Sequence, residues 1–331
     1  MYQNQRRDVY AQVTEQIVAQ LERGVCPWHK PWRTSLPMNL KTGKPYRGIN
    51  SILLSCVRMP SPYWLTLKQA NGLGGSITKG SKGMPITFWS TYFRKNRNED
   101  TGEESSRKAG FFRTYTVFNL SQTTGIAEKL GLDKPADVVP DIEAAESIIT
   151  EMKNPPKFVD SDSAWYRNQT DELGMPLKVR FENIEEFYAT KFHELVHSTM
   201  HPTRLNLREV DTRSSFGSAG YAEEELRAEI GANYLCSQVG IMTKTVENSA
   251  AYLQHWIRVL KGDSKLIMKT ASAAQRAVDH IVGTPAYVEP EEPQAPAAVE
   301  EEEIAVCARV IHIEGRPAPL CGNHSHMNPN G

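Results

Sequence analysis

Five cysteines in 331 residues, Cys26, Cys56, Cys236, Cys307 and Cys321, are too few and too irregularly spaced for a disulfide framework. None forms a C-x-x-C pair, so free thiols in a reducing compartment are expected. No apolar run approaches the ~18 residues of a membrane span. The opening MYQNQRRDVY holds no apolar signal core. These absences point to a cytoplasmic protein with no membrane partner. A P-loop is also missing, because Gly74-Gly75 and TKGSKG do not supply the G-x-x-x-x-G-K-S/T spacing. No segment reads as a recognition helix for duplex DNA. Net charge is nearly absent too, with 38 Lys and Arg against 39 Asp and Glu.

That balance hides a division. Residues 1–125 carry 18 Lys and Arg against 7 Asp and Glu, whereas residues 126–331 carry 20 against 32. Such asymmetry predicts a polyanion-binding module joined to something else. The length fits two domains and a tail: 1–132, 133–284 and 285–331. The tail opens with YVEPEEPQAPAAVEEEE, a Pro/Glu/Ala-rich acidic composition that predicts a disordered linker. Beyond it Cys307, Cys321, His324 and His326 lack metal-site spacing.

The basic part interleaves aromatics with cations. CPWHKPW holds Trp28, Lys30, Trp32 and Arg33; TGKPYRGIN holds Lys44, Tyr46, Arg47 and Asn50; YWLTLKQA holds Trp64 and Lys68; Lys79 and Lys82 precede ITFWS. Cations that follow phosphates, with ring faces for unstacked bases, suit a single-stranded nucleic-acid groove. Trp28, Trp32 and Tyr46 stand in Pro/Gly-rich loops and are expected on the binding surface. Phe88, Trp89, Tyr115 and Phe118 stand in strand-like runs and are expected in the core.

The acidic part contains His193-Glu194-Leu195-Val196-His197, within a run that has helical spacing and neither Gly nor Pro. On a helix the two histidines lie one turn apart on one face and can hold one zinc. Glu194 beside them can act as the base toward a water whose pKa zinc lowers to about 7. Zinc is the expected ion, with manganese the alternative. His201 continues the four-residue series, but no glycine turns the chain. On a continuous helix it would stand about 12 Å from His193 along the axis, too far to share an ion with it. Glu225 and Glu229, four apart in YAEEELRAEIGANYLC, are the better third ligands, and their spacing does not order them. Glu223 and Glu224 read as solvated helix-face acids.

The E-x-x-A-E pattern resembles the E-x-x-A-D and E-x-x-A-N segments that follow HExxH in other zincins. That resemblance implies Glu225 as ligand and Glu229 as the carboxylate supporting a ligand histidine. More widely, GVCPWHKPW, TGKPYRGIN, YWLTLKQA, KGSKG and VFNLSQ resemble the single-strand-DNA-binding domain of ArdC-type antirestriction proteins and the related region of plasmid TraC primases. FHELVHSTMHPTRLN and FGSAGYAEEELRAEIGANYLC resemble the metallopeptidase domain that completes ArdC. The implied fold is α+β, a basic single-strand-DNA-binding domain followed by a zincin-like domain built on the HExxH helix. The implied role is protection of incoming DNA during plasmid conjugation. A host restriction component or another protein is the implied peptidase substrate, and an active endopeptidase targeted by its DNA module is the alternative.

Periodicity predicts helices over Asp8–Arg23, Ile49–Val57, Trp64–Asn71, Asp141–Lys153, Val246–Leu260 and Ser264–Val282. ITFWSTYF and FFRTYTVFNL read as strands joined by a long polar loop, and KFVD and residues 164–167 as strands or turns.

Overall fold

The computed structural model describes residues 8–28, 36–57, 59–97, 104–132, 140–206, 219–241 and 250–284. The tail beyond 284, with its Cys and His residues, lies outside them, as do Lys30, Trp32 and Arg33. No described helix is long and apolar enough to cross a membrane.

The first helix, α1 (Val9–Glu22), begins at Asp8, whose side chain accepts from the Tyr10 amide. Such a cap satisfies a backbone donor that no helical carbonyl can reach. Val13, Ile17, Val18 and Leu21 recur on one face and are buried. They join the acidic part's core rather than a separate one. One hydrophobic cluster takes this face, Cys26, Trp28, Ile52 and Leu53 together with the apolar sides of five later helices. These are α4 (Ile142–Thr150), α5 (Ile184–Ser198), α6 (Ala219–Gln238), α7 (Ala250–Gly262) and α8 (Leu266–Ile281). Residues 1–286 accordingly form one compact unit. This cluster draws residues from both sides of the division expected at 132/133.

Between α1 and α5 run β1 (Met38–Asn39), α2 (Ile49–Ser55), β2 (Tyr63–Leu65), α3 (Leu67–Gly72), β3 (Ser76–Ile77), β4 (Met84–Arg97), β5 (Glu104–Asn119), β6 (Thr123–Thr124), α4 (Ile142–Thr150), β7 (Lys157–Asp160), β8 (Trp165–Arg167) and β9 (Glu172–Met175). The run at 64–71, expected as one helix, divides into β2 and α3. Thr66 and Gln69 form a capping box that starts the helix only after the strand has ended.

The strands β1-β2-β5-β4 make one mixed sheet. The polar segment expected as a loop between the last two is mostly strand, and their pairing runs continuously from Met84↔Val117 to Arg97↔Glu104. β2 pairs only with Phe118 and Asn119 of β5. Beyond that short contact the two long strands continue as a ribbon paired with each other. A small second core under its root holds Tyr46, Leu54, Trp64, Ile86 and Val117.

A three-stranded sheet, β7-β9-β8, precedes α5. Arg204, just past α5, ties the sheet to the helix. Its side chain is fully buried, donates from Nε to the Ser198 carbonyl at 2.7 Å, and pairs with both carboxylate oxygens of Asp171. Tyr166 Oη donates to the same carboxylate at 2.8 Å.

Candidate metal centre

α5 starts on Asn183, whose side chain accepts from the Glu186 amide. Glu185 and Glu186 sit in its first turn, where negative charge favours the helix dipole. Phe187, Tyr188, Phe192, Leu195 and Val196 face the core, which leaves His193 and His197 together on an adjoining stripe. Their Nε2 atoms approach to 3.0 Å. α6 crosses close by at Gly231, where an added Cβ would lie 2.8 Å from Val196 Cγ2. Glycine at this point lets the two helices approach, and that approach brings the α6 carboxylates to the histidines.

Glu225 Oε2 lies 3.6 Å from His193 Nε2, and its Oε1 lies 3.7 Å from His197 Nε2. With the 3.0 Å separation of the histidines, these distances bring two imidazole nitrogens and one carboxylate into a triangle of ligand groups. Tetrahedral zinc, with ligands at about 2.0–2.1 Å, sets ligand atoms roughly 3.3 Å apart. Two imidazoles and one carboxylate in that spacing fit a divalent ion and leave one coordination position for a fourth ligand. Among the described residues His193, His197 and Glu225 are the His/Cys/Asp/Glu group with this proximity.

Glu224 occupies the supporting place that was expected for Glu229. Its Oε1 is 2.9 Å from His197 Nδ1, and a carboxylate there fixes the tautomer that leaves Nε2 free to ligate. Arg227, nearly fully buried, stands 3.8 Å from the same carboxylate oxygen. The expectation that Glu224 is a solvated acid fails because α6 turns it inward, next to its neighbour Glu225. Glu229 instead accepts from Trp28 Nε1 at 2.8 Å and from Tyr252 Oη at 2.6 Å.

Burial pushes the Glu194 carboxyl above the usual carboxylate range; the two histidines oppose the shift, and Glu225 and Glu224 reinforce it. For His193 burial acts downward, but the hydrogen bond to Glu225 and the charges of Glu194, Glu225 and Glu229 outweigh it and raise the imidazole. His201 stands apart from the triangle. Helix α5 ends at Ser198, and His201 Nδ1 turns to Thr203 Oγ1 at 2.7 Å.

The expected nucleic-acid contacts divide sharply. Lys44, Lys68, Lys79 and Lys82 are exposed. Trp28, Tyr46, Asn50 and Trp64 are buried and offer no surface to a base. Trp28 is held against Trp256 in an edge-to-face contact at 5.8 Å. Tyr46 Oη accepts from Asn39 Nδ2 at 3.0 Å. Asn50 bonds both the amide and the carbonyl of Thr87, closing the edge of β4. Arg47 is half-buried and paired with Asp279 on α8. The aromatics expected inside reverse in turn. Phe88 and Tyr115 are 43% and 42% exposed. Phe118 is half-buried, and the Trp89 side chain lies outside those described. Sequence reasoning followed loop composition, whereas exposure follows how far each position lies along the ribbon from β2.

Residues 143–273 match the zincin-like metallopeptidase family, and residues 7–118 match the N-terminal domain of the anti-restriction factor ArdC. Fold and site define an α+β, zincin-like metallopeptidase domain preceded by an ArdC N-terminal domain. The metal-free crystal structure of the antirestriction ArdC protein from the R388 plasmid is similar at a TM-score of 0.67 and 36% identity, over 83% of this chain and 96% of that one. Its Mn(II)-bound structure gives 0.65 and 33%, over 85% and 100%. DNA primase TraC of Escherichia coli is 34% identical over 297 residues, but the chain spans only 27% of that protein's length. This chain belongs to the ArdC antirestriction family.

Proposed function

We propose that this protein binds single-stranded DNA without sequence preference and protects incoming DNA during plasmid conjugation. The observation that carries this reading is the charge division, 18 Lys and Arg against 7 Asp and Glu in residues 1–125. Exposed Lys44, Lys68, Lys79 and Lys82 belong to that excess. Membership of the ArdC antirestriction family supports the protective part of this reading.

The same reading assigns one divalent ion, zinc or alternatively manganese, to His193, His197 and Glu225. Such an ion supplies Lewis acidity and lowers the pKa of water toward neutrality. Glu194 holds or releases a proton at its carboxylate, and the raised affinity for protons there suits a group that must do both. Glu224 orients His197, and Arg227 beside it supplies the opposing charge. Three ligand groups rather than four favour a second reading, an endopeptidase directed to a host restriction component or another DNA-associated protein.

Full-length protein, labelled single strands of unrelated sequence and matched duplexes, followed by anisotropy across salt, test the first reading. Single strands should bind alike, with a log–log slope of roughly −0.7 per phosphate neutralised. A flat salt response or tighter duplex binding would overturn it. Glu194→Ala separates the two readings: retained protection in a conjugation assay supports binding as the function, and lost protection with intact DNA affinity supports the peptidase.

A further inference from the structure

Ile86, Phe88, Tyr115, Arg113 and Val117 share one face of the β4–β5 ribbon, since the register sets Ile86 opposite Tyr115, Phe88 opposite Arg113 and Met84 opposite Val117. Ile86 and Val117 are buried at its root. One step outward the face meets solvent, and two large aromatic rings stand exposed on it. Phe88 and Tyr115 pack edge to face, with centroids 5.6 Å apart and planes at 76°. That contact fixes both rings and leaves ring faces unused by either partner. Arg113, directly across from Phe88, is exposed as well. The two strands carry six Lys or Arg against one acid. A packed aromatic pair with Arg113 beside it, on strands whose sequence is net basic, complements a polyanion that offers flat apolar faces, and like charge opposes docking of a second copy of this ribbon.

We infer that the outer face of β4–β5 at Phe88, Tyr115 and Arg113 is where the bases of a single-stranded polynucleotide stack. The inference rests on the single-strand-DNA reading above and names the surface that serves it. Duplex bases cover one another's faces, so only unstacked bases can use these rings. Arg113 takes a phosphate beside the stacked base.

The test uses the full chain and a labelled oligothymidine. Phe88→Ala and Tyr115→Ala should each weaken binding by about 5- to 150-fold, the equivalent of ~1–3 kcal/mol per stacked base. Their salt slope should equal that of the unaltered protein, because no phosphate contact is lost. Arg113→Gln should make the slope shallower by about 0.7. Phe88→Trp should bind at least as tightly as the unaltered protein. Melting temperatures should stay unchanged, which separates loss of stacking from loss of fold. If the unaltered protein binds single strands and the alanine variants bind equally well, the inference falls and the DNA reading stands. If the unaltered protein does not bind single strands even at low salt, both fall. If the variants lose self-association and keep DNA affinity, the face is a protein interface and the inference is overturned.

Discussion

Trp28 and Glu229, 201 residues apart, meet through an indole N–H···carboxylate hydrogen bond of 2.8 Å. Tyr252 donates to the same oxygen at 2.6 Å. A residue of the basic part thereby holds a carboxylate one helical turn from the proposed ligand Glu225. Trp28→Phe removes the donor and leaves a void where the second ring of the indole stood. It should lower unfolding free energy by at least about 1.5–3 kcal/mol, the range for a hydrogen bond to a charged group, with the void adding to the loss. Tyr252→Phe should do similarly. Because both donors share one acceptor, the double variant should depart from additivity in a denaturation cycle. Strict additivity would argue against a shared network.

The same packing bears on truncation. Residues 1–132 alone would expose Ile17, Leu21 and Trp28, all fully buried in the shared core. That fragment should melt without a cooperative transition and bind a hydrophobic dye. A sharp calorimetric transition in the isolated fragment would show that the first part carries its own sufficient core.

Metal titration should rank three glutamates differently from the order the sequence resemblance implies. Glu225→Ala removes one corner of the ligand triangle and should abolish most affinity. Glu224→Ala removes the partner of His197 Nδ1 and should cost about 10–100-fold. Glu229→Ala should mainly reduce stability, and His201→Ala should leave metal content unchanged. Severe metal loss in Glu229→Ala with little in Glu224→Ala would reverse the supporting roles.

Gly231→Ala distinguishes propensity from packing. Alanine in a helix interior gains up to about 1 kcal/mol over glycine. Here its Cβ would stand 2.8 and 3.0 Å from the two methyls of Val196, and such overpacking costs about 1–3 kcal/mol. The variant should therefore melt lower and bind metal more weakly, because α5 and α6 are forced apart. A higher melting temperature would show that Val196 can give way.

Burial pushes the Asp171 carboxyl up, but hydrogen bonds from Arg204 and Tyr166 and the Arg204 charge outweigh it and hold it below the usual carboxylate range. A carboxylate so lowered adds stability above its unfolded pKa of about 3.9, and that stability disappears as pH falls through the folded value. Urea unfolding should show a loss of stability as pH drops below about 4. Asp171→Asn should be less stable at neutral pH and show a flatter acid limb. Asparagine tolerates the left-handed backbone at this position, φ +51°, so strain does not confuse the comparison. An unchanged acid limb would place the acid-sensitive carboxylate elsewhere.

The HExxH pair, the helical periodicities and the charge division were legible in the sequence because each is local. Four-residue spacing puts His193 and His197 on one face wherever the helix lies, and a charge count needs no coordinates. Roles that depend on distant partners were not legible. Glu224 and Glu229 differ only in which way α6 turns them and in what waits there, His197 for one and Trp28 with Tyr252 for the other. Loop composition suggested that Trp28 and Tyr46 face solvent, yet the packing of α7 and of the small sheet's core covers them. Alternation in ITFWS could not tell Ile86 from Phe88, since both lie on one face. Only the shortness of β2, which ends the core after two paired residues, leaves one buried and the other in water.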